Sequence, residues 1–315
     1  MNAIPICEQY KSIFNKEILQ YSKGVIFTFS PVSDGRTYQP YSHAISATGV
    51  EDLCDLMRKN IFFYAYGEDE VVEYYEKDKF KSLEAAAKYA YRQRLPSRKP
   101  TQDGLPSEVL LDLLIQLYNP NAYKLAVRTI FRQNDNNEIK GYDLTYFVKE
   151  QSGISLWLGQ AKPGSESYCK SGINDDLSLK FSPKYLSEQL FFICDKRVSL
   201  TSDAKEILSI IEEINVQEYD SDENVRAKRL LQFFRNNNIK IKIPCLLAYD
   251  KQDLYHDAST LYNKINTEIE KIQKYFCNHS YEFIGFEPEI IFYVFPIESI
   301  DRLRSKETGF YAGLY

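Results

Sequence analysis

The chain has 315 residues, 44% of them hydrophobic and 14% aromatic, which is enough for one large domain or two ordinary ones around a buried core. That composition excludes global disorder, and no apolar run approaches the length of a helical bilayer span. A net charge of −5, from 39 basic and 44 acidic residues, argues against a uniformly basic nucleic-acid binder but leaves local basic patches open.

The start, from Met1 to Gln9, lacks a basic region followed by an apolar stretch, so no signal peptide is expected. Six scattered cysteines (Cys7, Cys54, Cys169, Cys194, Cys245, Cys277) form no CxxC pair and no zinc-like Cys/His spacing. Reduced thiols in a cytoplasmic protein are the expectation.

In chain order, Lys23 to Ser30 reads as a strand, and Val50, Leu53, Cys54 and Met57 form a helix stripe. Ile61 to Tyr66 is strand-like, and Leu83 to Arg94 is Ala-rich and helical. Leu95 to Pro106, dense in Pro, Gly and polar residues, is the best boundary, dividing an N-terminal region (1–100) from a second region (101–315). A helix is then expected over about 107–118, with strands over about 123–132, 140–149 and 154–162. A loop leads to Ser182-Pro183, an N-cap followed by Pro at N1, opening a helix with Leu186, Leu190 and Ile193 on one face. Helices near 202–215 and 223–237, a strand over Ile239 to Tyr249, a helix near 257–276 and a strand near 289–296 complete the chain. Mixed helices and strands point to an α/β or α+β protein.

Four residues stand out between Glu108 and Lys162. Glu108 begins an apolar helix-like run, where a carboxylate needs either a cation or the favourable helix N-terminus. Asp143 lies in an apolar, aromatic strand, where Asp is disfavoured; it is read either as a site residue or as the strand start after a Lys140-Gly141 turn. Gln160 and Lys162 share one strand face. A two-residue Ser152-Gly153 turn would set Asp143 opposite Lys162 and Thr145 opposite Gln160, and any even loop length keeps these residues on one face. Two carboxylates about 4 Å apart repel by roughly 4 kcal/mol at an effective dielectric of about 20. A Mg²⁺ ion would relieve that repulsion, and its preference for oxygen suits Glu108, Asp143 and the amide oxygen of Gln160. Such an ion would activate water for attack on a phosphodiester, with Lys162 orienting the water and offsetting developing charge.

A second feature is basic. Between Ala85 and Gln102 stand Lys88, Arg92, Arg94, Arg98 and Lys99, with Tyr89 and Tyr91 interleaved and no acid. Phosphate contacts plus base stacking would bind single-stranded or flexible nucleic acid; a solvated helix face explains the same residues. Glu68-Asp-Glu70 and Asp220-Ser-Asp-Glu223 read as solvated loops or helix starts, and His43, His256 and His279 are assigned no role.

The order helix-Glu, strand-Asp and strand-(Asp/Glu/Gln)-x-Lys resembles the PD-(D/E)xK nuclease superfamily. More narrowly, the strings Asp103 to Ile115, Lys140 to Leu144 and Trp157 to Lys162 look like the HamA family of Hachiman anti-phage defence systems. The resemblance implies a restriction-endonuclease-like core over 101–315, with a mixed central sheet flanked by helices, plus an N-terminal α+β region. It implies a Mg²⁺-dependent DNA nuclease, with Mn²⁺ as a substitute, whose catalytic positions fall on Glu108, Asp143, Gln160 and Lys162. It also implies a helicase partner, HamB, that holds the nuclease quiet until it meets abnormal or damaged DNA ends. Gln160 departs from the pattern, because Glu or Asp is commoner there and a neutral ligand weakens metal affinity. A different class of protein, a DNA- or helicase-binding subunit that keeps the fold without cleaving, has no need for both Asp143 and Lys162. A scaffold whose acids merely cap elements accounts for each residue but not for their joint order.

Overall fold

The structure is a computed structural model, and it describes residues 5–96, 104–127, 130, 141–150, 153–195, 202–219 and 221–315. The N-terminal third comprises α1 (Ile6–Phe14), a π-helical turn (Asn15–Leu19), α2 (Gln20–Ser22), β1 (Ile26–Thr28), β2 (Val32–Ser33), β3 (Thr37–His43), α3 (Gly49–Ala65), α4 (Glu68–Glu76) and α5 (Leu83–Gln93). Next come α6 (Leu105–Tyr118), β4 (Ala122–Lys124), β5 (Leu144–Glu150), β6 (Gly153–Gly164), α7 (Glu166–Leu179) and α8 (Pro183–Asp195). The chain continues with α9 (Ser202–Gln217), α10 (Glu223–Asn236), β7 (Lys240–Asp250), a 3₁₀ turn (Gln252–His256), α11 (Leu261–Cys277), β8 (Glu289–Ile297) and α12 (Ile300–Leu303).

The strands make one curled, mixed sheet in the order β1-β3-β8-β7-β6-β5-β4, with β2 paired to β3. Strands β3, β8, β7 and β6 run parallel, while β5, β4 and β1 are antiparallel to their neighbours. The central strands β7 and β8 are buried along nearly their whole length, as their unbroken apolar runs require for a sheet covered on both faces. Pairing of β3 with β8 carries the N-terminal region into the same sheet as 101–315, and one apolar cluster runs from Tyr10 to Leu314. The fold is therefore mixed α/β, with a central sheet flanked by helices.

The side-chain period of two sorts β6 between the layers. Leu156 and Leu158 enter the layer under α7 to α11, whereas Trp157 and Ala161 enter the layer of α1, α3, α5 and α6. Helix α6 is buried from Leu105 through Gln116, pressed between the sheet and α3.

Several sequence expectations change. Ile61 to Tyr66, expected as a strand, belongs to α3 and its end; Val50, Leu53, Cys54 and Met57 continue into Ile61 and Tyr64, all buried. Burial on every side erased the amphipathic period there and left an apolar run that reads as β. The strand expected over about 123–132 is the short β4; residues 128–129 and 131–140 lie outside the described residues. The segment read as a loop before Ser182 contains the fourteen-residue α7.

The hairpin register also differs. Glu150 pairs with Gly153 and Leu144 with Gly159, so Gly153 stands in the ladder and not in the expected Ser152-Gly153 turn, and Thr145 faces Leu158 instead of Gln160. The register is displaced by two residues, an even shift, so Asp143, Gln160 and Lys162 keep a common face. Gly153 is in the ladder at φ +142°, and a Cβ there would stand 3.0 Å from the Asn238 carbonyl oxygen, so both conformation and space require glycine.

Candidate active site

The expected residues gather where β5 begins beside the second half of β6. Asp143 immediately precedes β5; its backbone N–H donates to the Gly159 carbonyl at 3.0 Å, and its carboxylate accepts the Ala161 N–H at 2.7 Å. It thus grips the strand between Gln160 and Lys162. Gln160 is fully buried, and its Oε1 accepts from the Lys180 ammonium at 2.7 Å. Its Nε2 has no acceptor among the described residues.

Lys162 lies 2.6 Å from Asp176 Oδ2, and Lys180 lies 3.1 Å from Asp176 Oδ1. One carboxylate therefore bridges two ammonium groups. Burial alone would lower the Lys162 pKa; the Asp143 and Asp176 carboxylates outweigh it and hold the group above its ordinary value. Lys162 is consequently a cation across the neutral range. Tyr185, at the start of α8, shares these neighbours: burial, then Asp176 and Asp143, push its hydroxyl up to about 12.

Helix α7 supplies what the sequence reading passed over. Its N-cap Ser165 accepts the Tyr168 N–H, and Cys169, Ile173 and Leu177 make its buried stripe. Gly172 and Asp176, one turn apart, both serve Lys162: the glycine makes room for its stem and the acid binds its head. The four-residue spacing of Cys169, Ile173 and Leu177 was the available signal. The poor helix formers Gly172, Asn174, Asp175 and Asp176 obscured it. Lys180 caps α7, with its carbonyl held by the Tyr142 hydroxyl at 2.8 Å, directly beside Asp143 in sequence.

Glu108 comes from a different element. It is buried on α6, in the opposite layer, and accepts the Tyr64 hydroxyl at 2.6 Å. A short turn joins α6 to β4, which returns antiparallel to β5, and Leu111 reaches Gly159 beside Leu144. Helix α6 therefore begins at the end of the sheet that carries Asp143, across the sheet from Lys162.

Asp143, Asp176 and the Gln160 amide offer hard oxygen donors, a set whose chemistry suits magnesium. Among the described residues no group of three or more His, Cys, Asp or Glu is placed to hold a metal ion. Lys180 opposes such an ion. Two unit charges 4 Å apart interact by about 4 kcal/mol at an effective dielectric of about 20, so a divalent ion at that distance from an ammonium meets roughly 8 kcal/mol of repulsion.

The basic stretch is partly committed to the fold. Arg94 pairs with Glu70 at 2.5 Å and lies 4.8 Å from the centre of the Tyr66 ring, while Arg92 donates to the Leu314 carbonyl at 2.9 Å. Tyr89 is exposed, and Arg98 and Lys99 lie outside the described residues. Arg94 thus ties α5 to α4. Glu68, expected to be solvated, is buried at the start of α4 and accepts the Lys124 N–H at 3.1 Å.

These features define a mixed α/β protein with a polar lysine–carboxylate cluster where two antiparallel strands of its central sheet meet a flanking helix. The family model HamA matches residues 14–314, and the chain belongs to the HamA family, which is associated with Hachiman antiviral defence. No curated protein matches the chain. Among the described residues no helix is long and apolar enough to cross a membrane.

Proposed function

We propose that this chain is a magnesium-dependent DNA nuclease that hydrolyses phosphodiester bonds as the effector subunit of a helicase–nuclease complex in antiviral defence. The observation that carries the reading is the common face of Asp143, Gln160 and Lys162, which stand in the order and spacing of the PD-(D/E)xK motif in a chain of the HamA family. Magnesium is proposed to sit between Asp143 and the Gln160 amide once Lys180 has released it, with Glu108 reaching them from the start of α6 at the same end of the sheet; it would polarise the scissile phosphate and lower the pKa of the attacking water, with manganese as a substitute.

The chain's own residues do the rest. Asp143, by gripping the Ala161 N–H, sets the residues on either side of it toward one face. Lys162, charged and seated against Gly172, presents an ammonium to the non-bridging phosphate oxygens, where negative charge accumulates. Its pairing with Asp176 orients the head group before substrate arrives. DNA and the helicase HamB are the proposed partners. Lys88, Arg92, Arg98 and Lys99 are proposed to contact the DNA backbone.

The test incubates purified protein with plasmid and with single-stranded DNA, in Mg²⁺ or in EDTA, beside Lys162→Ala. Loss of DNA that persists in EDTA or in the variant overturns the reading. If the protein alone is silent, the helicase is added, and continued silence favours the second reading, a non-catalytic subunit that binds DNA or the helicase. One observation favours that second reading: the oxygen expected to ligate magnesium is already bonded to Lys180.

A further inference from the structure

Gln160 and Asp176 come from different elements, a buried strand and the helix packed on it, yet both direct an oxygen at one ammonium. Lys180 Nζ is 2.7 Å from Gln160 Oε1 and 3.1 Å from Asp176 Oδ1. Both oxygens belong to the donor set that suits a hard divalent cation. Meanwhile the fully buried Gln160 keeps an Nε2 with no acceptor among the described residues, so this arrangement leaves a buried donor unsatisfied. The amide is held by its oxygen toward a cation at the expense of its own N–H groups.

We propose that Asp176 is a member of the divalent-cation site and that Lys180 is its resident internal cation, so that a metal ion enters only when Lys180 withdraws. This rests on the nuclease reading and deepens it. Asp176 supplies in space the carboxylate that Gln160 lacks in sequence. Lys180, at the C-terminal cap of α7, keeps both oxygens occupied while no metal is held. Like-charge repulsion sets Lys180 and a divalent ion in competition for the same two oxygens.

The test is Mn²⁺ binding to the metal-stripped full chain, followed by calorimetry or by the loss of free Mn²⁺ in electron paramagnetic resonance, and is independent of cleavage. Lys180→Met removes the charge and keeps the length; Lys180→Arg keeps the charge. Lys180→Met is expected to bind Mn²⁺ at least tenfold more tightly than the unsubstituted chain, with Lys180→Arg within about threefold of it, and adding Asp176→Asn to Lys180→Met is expected to abolish the gain. Unchanged or weaker binding in Lys180→Met, an equal gain in Lys180→Arg, or a gain that survives Asp176→Asn overturns the proposal. Melting curves confirm that each variant is folded, and Lys180→Gln replaces Lys180→Met if the latter is not. Should the unsubstituted chain cleave DNA with Mg²⁺ while Lys180→Met shows no gain, this inference fails and the nuclease reading stands. Absence of both binding and cleavage removes both.

Discussion

Gly172 on α7 and Lys162 on β6 fit each other by shape: a Cβ on the glycine would lie 3.1 Å from both Cδ and Cε of the lysine. Glycine inside a helix costs about 1 kcal/mol relative to alanine, so its presence there calls for a compensating contact. The stem of Lys162 supplies it. Gly172→Ala gains helix propensity and crowds the lysine by a few tenths of an ångström. The two effects on stability nearly cancel, whereas the ammonium is displaced from Asp176. The expected outcome is a melting temperature within a few degrees of the parent and, on the proposed nuclease reading, a fall in Mg²⁺-dependent DNA cleavage of tenfold or more; full cleavage by Gly172→Ala would show that the fit is incidental.

Asp112 anchors the other face. Its carboxylate accepts from the Tyr146 hydroxyl, from Asn60 Nδ2 at 2.8 Å and from Gln116 Nε2 at 2.8 Å, and Gln116 in turn accepts the Tyr10 hydroxyl at 2.6 Å. Asp112→Ala strands three buried donors at once. Each costs about 1–3 kcal/mol when left without an acceptor, so a loss of roughly 3 kcal/mol or more is expected in denaturant unfolding. A loss under 1 kcal/mol would mean that the network reorganises around water.

His43 gives the fold a defined acid weakness. It is buried and stacked on Tyr255 at 3.9 Å; Nδ1 bonds to the Ala44 carbonyl and Nε2 accepts the Glu298 N–H. A proton on Nε2 would oppose that N–H, and burial lowers the pKa to about 4. Because the folded value lies below the unfolded one, the contribution is fully present above about pH 6.5 and is lost as pH falls through 4. The loss totals roughly 3 kcal/mol, from about 1.4 kcal/mol per pH unit. Glu68 works the other way: burial raises it to about 7, so its stabilisation is present below its unfolded value and lost as pH rises through 7. Subtracting the unfolding free energies of His43→Gln from those of the parent, between pH 7 and pH 4, isolates the histidine. A flat difference would contradict the assignment.

Arg94 and Lys88 separate structure from the proposed DNA contact. Arg94→Ala removes the Glu70 pair and the stacking on Tyr66, and a loss of about 1–2 kcal/mol of stability is expected with little change in the salt dependence of DNA binding. Lys88→Ala should leave stability unchanged and reduce the slope of log affinity against log salt by about 0.9, the value for one phosphate contact. An unchanged slope in Lys88→Ala would return this helix face to solvent.

The local pattern of the chain was enough for the mixed α/β class, for most elements of the second region and for the shared face of Asp143, Gln160 and Lys162. Those features follow from periods of two and 3.6 along the chain and from the parity of a hairpin loop, all local quantities. Contacts between elements distant in sequence decided the rest. Ile61 to Ala65 is helix, yet burial on all sides removed its amphipathic period, so the run reads as a strand. Helix α7 was hidden because Gly172 and Asp176 are poor helix formers, chosen for contact with Lys162 on another element. The pairing of Lys180 with Gln160, and the position of Glu108 across the sheet, depend on how helices pack on the two faces, which no spacing along the chain encodes.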